Sequence, residues 1–201
     1  VSTTGLVDVE AKTLLISSAV PEQTVTPLAP IFKAAGRKQV IVENDMHALA
    51  ARWMLSEGAL LREDVLMVLL EDGRVGATML INGRANRGCA LGANEIVHMR
   101  FPIHVPLCYC GREGCLERIF SSGYLSQING VRAGALGQAM TGSQLDSDAS
   151  GRILSLLVQG LSNAVNFMRP HRLILTGSFT DDDAFFQRIS QSTRPLLLSG
   201  I

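Results

Sequence analysis

The sequence predicts an α/β fold, and three features carry that prediction. Short apolar runs of strand length alternate with longer stretches that have helical spacing. Two hairpin signals, Asp72-Gly73 and Asn82-Gly83, interrupt strand-like segments, because the tight turns they favour need φ > 0. A polar turn, Glu43-Asn44-Asp45, stands between a strand and a helix, at the strand end where α/β proteins tend to place ligands.

The elements follow in order. Thr13 to Ile16 reads as a short strand. Pro27 to Ala35 reads as a helix, with proline near its first turn and Gly36 as its stop. Gln39 to Val42 is expected as a buried strand, and Met46 to Ser56 as a helix closed by Gly58. Asp64 to Leu70 and Val75 to Ile81 are apolar strands joined through Asp72-Gly73. The second hairpin makes the group an antiparallel meander. From Cys89 to Leu116 the chain is irregular, and Cys115 to Phe120 looks helical. A long apolar-periodic helix spans Ser147 to Phe167 and is broken by Pro170. Arg172 to Thr176 forms a strand running into Gly177, and Asp182 opens a last helix.

Composition narrows the function classes. The chain has 201 residues, enough for one large domain or parts of two, with 47% apolar and 18% charged residues. That supports a sizeable core and argues against disorder. The formal net charge is zero, so no basic surplus advertises nucleic acid, and DNA contact would need a local patch or further chain. No run of about 18 apolar residues suggests a membrane span. The opening Val1-Ser2-Thr3-Thr4-Gly5 lacks the basic and apolar parts of a secretory signal.

The four cysteines lie at 89, 108, 110 and 115, three of them within eight residues. This crowding is unlike a secreted disulfide framework and fits a metal site in a cytoplasmic protein. Gly111 and Gly114 let the backbone fold tightly around one ion, and His98 can supply a fourth ligand. Three thiolates and one imidazole suit tetrahedral zinc in a closed, structural site. The alternative is a set of buried free cysteines beside an unrelated histidine. Cys89 has no partner at suitable spacing and reads as a small core residue.

Glu95-Ile-Val-His98 followed by Cys108-x-Cys110-Gly-x-x-Gly-Cys115-Leu-Glu117 resembles the signature of the ROK family (repressors, open reading frames and kinases). Asn44-Asp45 before an alanine-rich helix resembles its Asn-Asp-Ala segment. Asn163 to Gly177, with Asn166 and Pro170 before the strand, resembles a later stretch. The resemblance implies a two-lobe, actin-like and hexokinase-like (ribonuclease H-like) fold with a zinc-bound loop and a sugar in the cleft. Residues 1–45 would be the remainder of a small N-terminal lobe, and 46–201 the larger sugar-binding lobe with the metal motif at 98–117. It also implies that Asn44, Asp45, Glu95, His98 and Glu117 contact the sugar. His98 would serve twice, one ring nitrogen on zinc and the other toward the sugar. Taken singly, Asp45 reads as the cap of the helix at Met46, Glu117 as a solvated first-turn residue, and Glu95 carries little signal.

In family kinases Asp45 would be the general base, with ATP and Mg²⁺ supplying the γ-phosphoryl group. The phosphate turn of those kinases is glycine-rich, whereas Asp72-Gly73-Arg74 puts a carboxylate and a bulky side chain there. Two other runs are altered as well, to Asn94-Glu95-Ile96-Val97-His98 and Gly177-Ser178. The pattern resembles the repressors, in particular the NagC/Mlc-like group, in which sugar binding controls a DNA-binding domain. The counter-reading has Arg74 itself contact phosphate. The kinases' N-terminal Asp-x-Gly-x-Thr loop and the repressors' winged helix-turn-helix do not occur in these residues. The resemblance therefore implies a fold incomplete at its N-terminus, part of a longer protein, working as a homodimer or tetramer. The expected function is the effector-sensing region of a sugar-responsive regulator of carbohydrate metabolism, reaching DNA only through a domain outside this chain. The alternative is an ATP-dependent hexose or N-acylhexosamine kinase.

Overall fold

The computed structural model describes residues 1–17, 20, 25–37, 39–58, 62–71, 74–88, 92–121, 124, 148–178 and 183–199. Cys89, Asp72, Gly73 and Asp182, which the sequence analysis singled out, lie outside the described residues.

Strand β6 (Val65–Glu71) organises the larger part of the molecule. It pairs antiparallel with β7 (Arg74–Ile81), which pairs with β8 (Arg84–Ala85). On its other edge β6 pairs parallel with β9 (Arg172–Thr176), giving the order β8-β7-β6-β9. The expected meander is therefore present, and Glu71 stands opposite Arg74 across the hairpin. Strand period divides β6 between two cores. Leu66, Val68 and Leu70 face one, and Val65, Met67 and Leu69 face the other. A strand buried on both faces reads as a continuous apolar run, as this one does.

The first core is covered by helix α4 (Asp148–Met168), whose stripe of Ile153, Leu157, Leu161 and Val165 keeps helical spacing. Helix α5 (Asp183–Thr193) adds Phe185 and Ile189. The short helix α3 (Leu116–Ile119) adds Leu116 and Ile119. Asn166 ties the end of α4 to the chain after α5: Nδ2 donates to Leu196 O at 2.9 Å, and Leu198 N donates to Oδ1 at 2.9 Å. The second core is covered by helix α2 (Asp45–Ser56) through Met46 and Ala50.

The N-terminal part has its own small core of Val7, Leu14, Val40 and Val42. Around it β2 (Leu6–Asp8), β3 (Thr13–Ile16) and β4 (Thr26–Pro27) form an antiparallel sheet, and α1 (Leu28–Ala34) follows. Strand β1 (Ser2–Thr3) pairs parallel with β5 (Glu43–Asn44).

Two sequence expectations need correction. The strand expected at Gln39–Val42 alternates in burial, with Val40 and Val42 inside and Ile41 exposed, but ladder pairing begins only at Glu43. The partner β1 is only two residues long, and before it only Val1 N reaches the segment, donating to Ile41 O at 2.8 Å among the described residues. Helix α2 begins at Asp45 and is capped by Asn44, so Asp45 is not the cap.

Candidate functional site

Asn44 leaves β5 in extended conformation, and its Oδ1 accepts from Met46 N at 2.9 Å and His47 N at 3.3 Å. These bonds satisfy two of the otherwise unpaired amides of the first helical turn. Its Nδ2 donates to Gly5 O at 2.9 Å, tying the helix start to the loop between β1 and β2. The cap fixes Asp45 as the first residue of α2. Burial raises the Asp45 carboxyl above its usual range, partly offset by the Arg74 guanidinium, whose Nη1 donates to Oδ2 at 3.3 Å. Arg74 also reaches Glu71, at 3.7 Å.

Next to this turn, the Glu43 carboxylate receives Arg87 on one oxygen and His47 Nδ1, at 3.0 Å, on the other. Burial works to raise Glu43, but these bonds and one from Asn44 N outweigh it and hold it below the ordinary carboxylate range.

Across the cleft the irregular loop carries the sulfur cluster. The isolated bridge between Arg100 and Cys115, with Phe101 N donating to Gly114 O at 2.8 Å, closes it against the start of α3. His98, Cys108, Cys110 and Cys115 each offer one ligand atom, and all four atoms lie within 4.8 Å of one another. Cys110 Sγ is 3.6 Å from Cys115 Sγ, and His98 Nδ1 is 3.7 Å from Cys108 Sγ. A tetrahedral ion with metal–sulfur bonds of about 2.3 Å needs edges of about 3.8 Å, so the group can hold a metal ion. Burial pushes the Cys108 and Cys115 thiols up. Burial, with Arg112 nearby, holds the His98 imidazole down, which favours the neutral ring a metal requires.

With Nδ1 turned to sulfur, Nε2 of His98 points the other way. It lies 3.1 Å from the Tyr109 hydroxyl and 4.0 Å from Glu95 Oε2. The Tyr109 ring stands edge-on to the imidazole, centroids 5.2 Å apart. Tyr109 also lines the cleft together with Glu117. Glu117 is only 8% exposed, and among the described residues its buried Oε2 has no hydrogen-bond partner. Burial pushes both Glu95 and Glu117 up to about 7, helped for Glu95 by the Asp45 charge and for Glu117 by the Glu95 charge.

Asn44, Asp45, Glu95 and Glu117 line one narrow cleft with Thr4 and Tyr109, and His98 stands behind Tyr109. The structure thus brings the sequence-selected residues together. Tyr109 was missed, because the motif treats the position between Cys108 and Cys110 as open. A side chamber lined by Leu6, Val7, Arg87 and Ala93 continues the cleft past Gly5 and Glu95. A second, wider cleft opens on the other side of Asp45, lined by Leu49, Glu71, Arg74, Thr176 and Gly177. Three carboxyls in one cleft suit a neutral ligand rich in hydroxyl donors and disfavour an anion.

A sequence model of the ROK family matches residues 1–201. An N-acetylmannosamine kinase from Vibrio cholerae serotype O1 is 34% identical over 124 residues, covering 60% of this chain and 42% of its own length. A xylose repressor from Caldicellulosiruptor bescii is 24% identical over 193 residues, covering 85% of this chain and 47% of its own length. The chain thus spans about half the length of these two relatives. The crystal structure of a ROK family transcriptional regulator, a homologue of the E. coli MLC protein, matches with a TM-score of 0.72 at 22% identity. That match covers 98% of this chain and 54% of the regulator. The mixed α/β fold is shared with ROK hexokinase-like structures as well. Among the described residues, no helix is long and apolar enough to cross a membrane.

Proposed function

Because the chain belongs to the ROK family, we propose that it is the effector-sensing region of a sugar-responsive ROK regulator. One observation carries this reading over the kinase alternative. Asp45, which would be the general base of a kinase, is engaged by the Arg74 guanidinium. A general base must be free to take the proton of the attacking hydroxyl, and the Arg74 guanidinium on Oδ2 offsets part of the basicity that burial gives Asp45. Arg74 is itself held by Asp45 and Glu71 in the cleft where a kinase would seat phosphates.

On this reading Asn44, Asp45, Glu95 and Glu117 contact the sugar, and His98 supports them from the metal loop. Zinc at His98, Cys108, Cys110 and Cys115 supplies a closed, four-coordinate brace that fixes the loop and the His98 ring. Residues 1–45 form a small lobe and 46–201 a larger one. The confinement of the Val7, Leu14, Val40 and Val42 core to the first segment supports this division. The sugar biases how the two parts close, and a DNA-binding domain outside this chain answers to that change. The protein acts in the cytoplasm as a homodimer or tetramer.

The second reading, an ATP-dependent hexose or N-acylhexosamine kinase, draws on the 34% identity with an N-acetylmannosamine kinase. The whole protein, tested with Mg²⁺-ATP and D-glucose, N-acetyl-D-glucosamine or N-acetyl-D-mannosamine, separates the two. Calorimetric binding of at least one sugar without sugar-dependent ADP release is the expected result. Sustained ADP release with any of them sinks the sensor reading, and the absence of heat from all three sinks sugar sensing altogether.

A further inference from the structure

Tyr109 stands between two of the thiols and is placed by them. Its hydroxyl is 3.1 Å from His98 Nε2, and it lines the cleft together with Glu117. On the other side of the ring His98 Nδ1 faces the sulfur of Cys108 at 3.7 Å, and with a metal held there Nδ1 is a ligand atom without a proton. The ring proton then sits on Nε2 and is donated to the Tyr109 oxygen. Glu117 Oε2 lines the same cleft and, among the described residues, is a buried acceptor with no hydrogen-bond partner. A buried acceptor left unpaired costs about 1–3 kcal/mol, so Oε2 marks the place of a donor that binding supplies.

We propose that Tyr109 is a specificity-determining residue of the cleft, its hydroxyl occupying the hydrogen-bonding place at His98 Nε2 so that a ligand hydroxyl is read by Glu117 Oε2 and not by the imidazole. This rests on the sugar-sensing reading above and names what that site selects: a neutral polyhydroxylated ring that presents a donor to Glu117. The phenol is a fixed wall on that side, edge-on to the His98 ring.

The test uses the zinc-loaded whole protein and two variants, Tyr109→Phe and Tyr109→Ala. Tyr109→Phe should retain zinc at the level of the unmutated protein. In long-range ¹H–¹⁵N spectra without sugar, its His98 Nε2 should stay protonated but shift and exchange faster with water. Calorimetry with D-glucose, N-acetyl-D-glucosamine and N-acetyl-D-mannosamine should give a change of about 3–10-fold in Kd for the sugar bound best, the worth of one hydrogen bond. Tyr109→Ala should change the order of preference among the three. An unchanged His98 signal in Tyr109→Phe overturns the proposal, as do unchanged affinities in both variants. Loss of zinc from Tyr109→Phe also overturns it, because the hydroxyl would then be serving the loop. If the unmutated protein binds none of the sugars, the sensing reading fails, and the His98 spectra still decide the hydrogen-bond assignment.

Discussion

Arg74 Nη1 lies 3.3 Å from Asp45 Oδ2, so a residue at the start of β7 is joined to the first residue of α2 across 29 positions of sequence. The same guanidinium reaches Glu71 at the end of β6. The helix start, the hairpin and the cleft between them are thus electrostatically coupled.

Replacing Arg74 with alanine removes the guanidinium whose charge lowers Asp45, while burial continues to raise it. The Asp45 carboxyl should therefore titrate at higher pH in Arg74→Ala, as read by its ¹³C signal. Arg74 is 42% exposed at its side chain, so the stability change should stay within about 1 kcal/mol. A lowered or unchanged Asp45 titration would show that the pair does not form in solution.

Asn44→Ala strips the cap from α2 and the bond to Gly5 together. Urea unfolding should show a loss of about 1–2 kcal/mol. Asn44→Asp keeps an acceptor for the helix amides but cannot donate to Gly5 O, and should recover part of that loss.

Glu43 makes stability depend on acid. Its folded pKa lies below the ordinary value of 4.5, because the bonds from Arg87, His47 and Asn44 N outweigh the opposing effect of burial. Its contribution is therefore fully present above about pH 4.5 and is lost as pH falls through the lower folded value. Melting temperatures measured downward from pH 6 should fall less steeply in Glu43→Gln. Parallel slopes for the two proteins would remove Glu43 from the acid response.

The metal loop distinguishes two glycines with the same φ of +80°. A Cβ on Gly114 would sit 2.3 Å from Phe101 O, whereas one on Gly111 would meet nothing within 4 Å. Gly111→Ala should cost about 1–2 kcal/mol from backbone strain alone and keep its metal. Gly114→Ala must break the pairing with Phe101, and should lose metal on dialysis. Equal zinc content in the two variants after dialysis would contradict this account.

Elements whose residues carry their own signal were legible in the sequence. The meander showed in the apolar runs around Asn82-Gly83, and the sulfur cluster that could hold a metal showed in the spacing of Cys108, Cys110 and Cys115. β1 was not legible, since two residues carry no period and its partner lies about 40 positions away. The parallel pairing of β9 with β6 was hidden for the same reason, as nothing in Arg172–Thr176 names its neighbour. Asn44 and Asp45 were both selected, but which of them caps α2 depends on where the helix starts, and one residue decides it. The Arg74–Asp45 pair and the Tyr109 contact arise only when distant segments meet.

Tyr109 stands between His98 of the sulfur cluster and the cleft that it lines with Glu117. An ion held by the thiols and a small molecule held at Glu117 would then meet on its two sides. Thermodynamic reciprocity makes their effects on each other equal: the factor by which the ion tightens the small molecule is the factor by which the small molecule tightens the ion. If the ion tightens the small molecule, the protein would hold the ion more firmly when that molecule is abundant, and would be easiest to strip of it when the molecule is scarce.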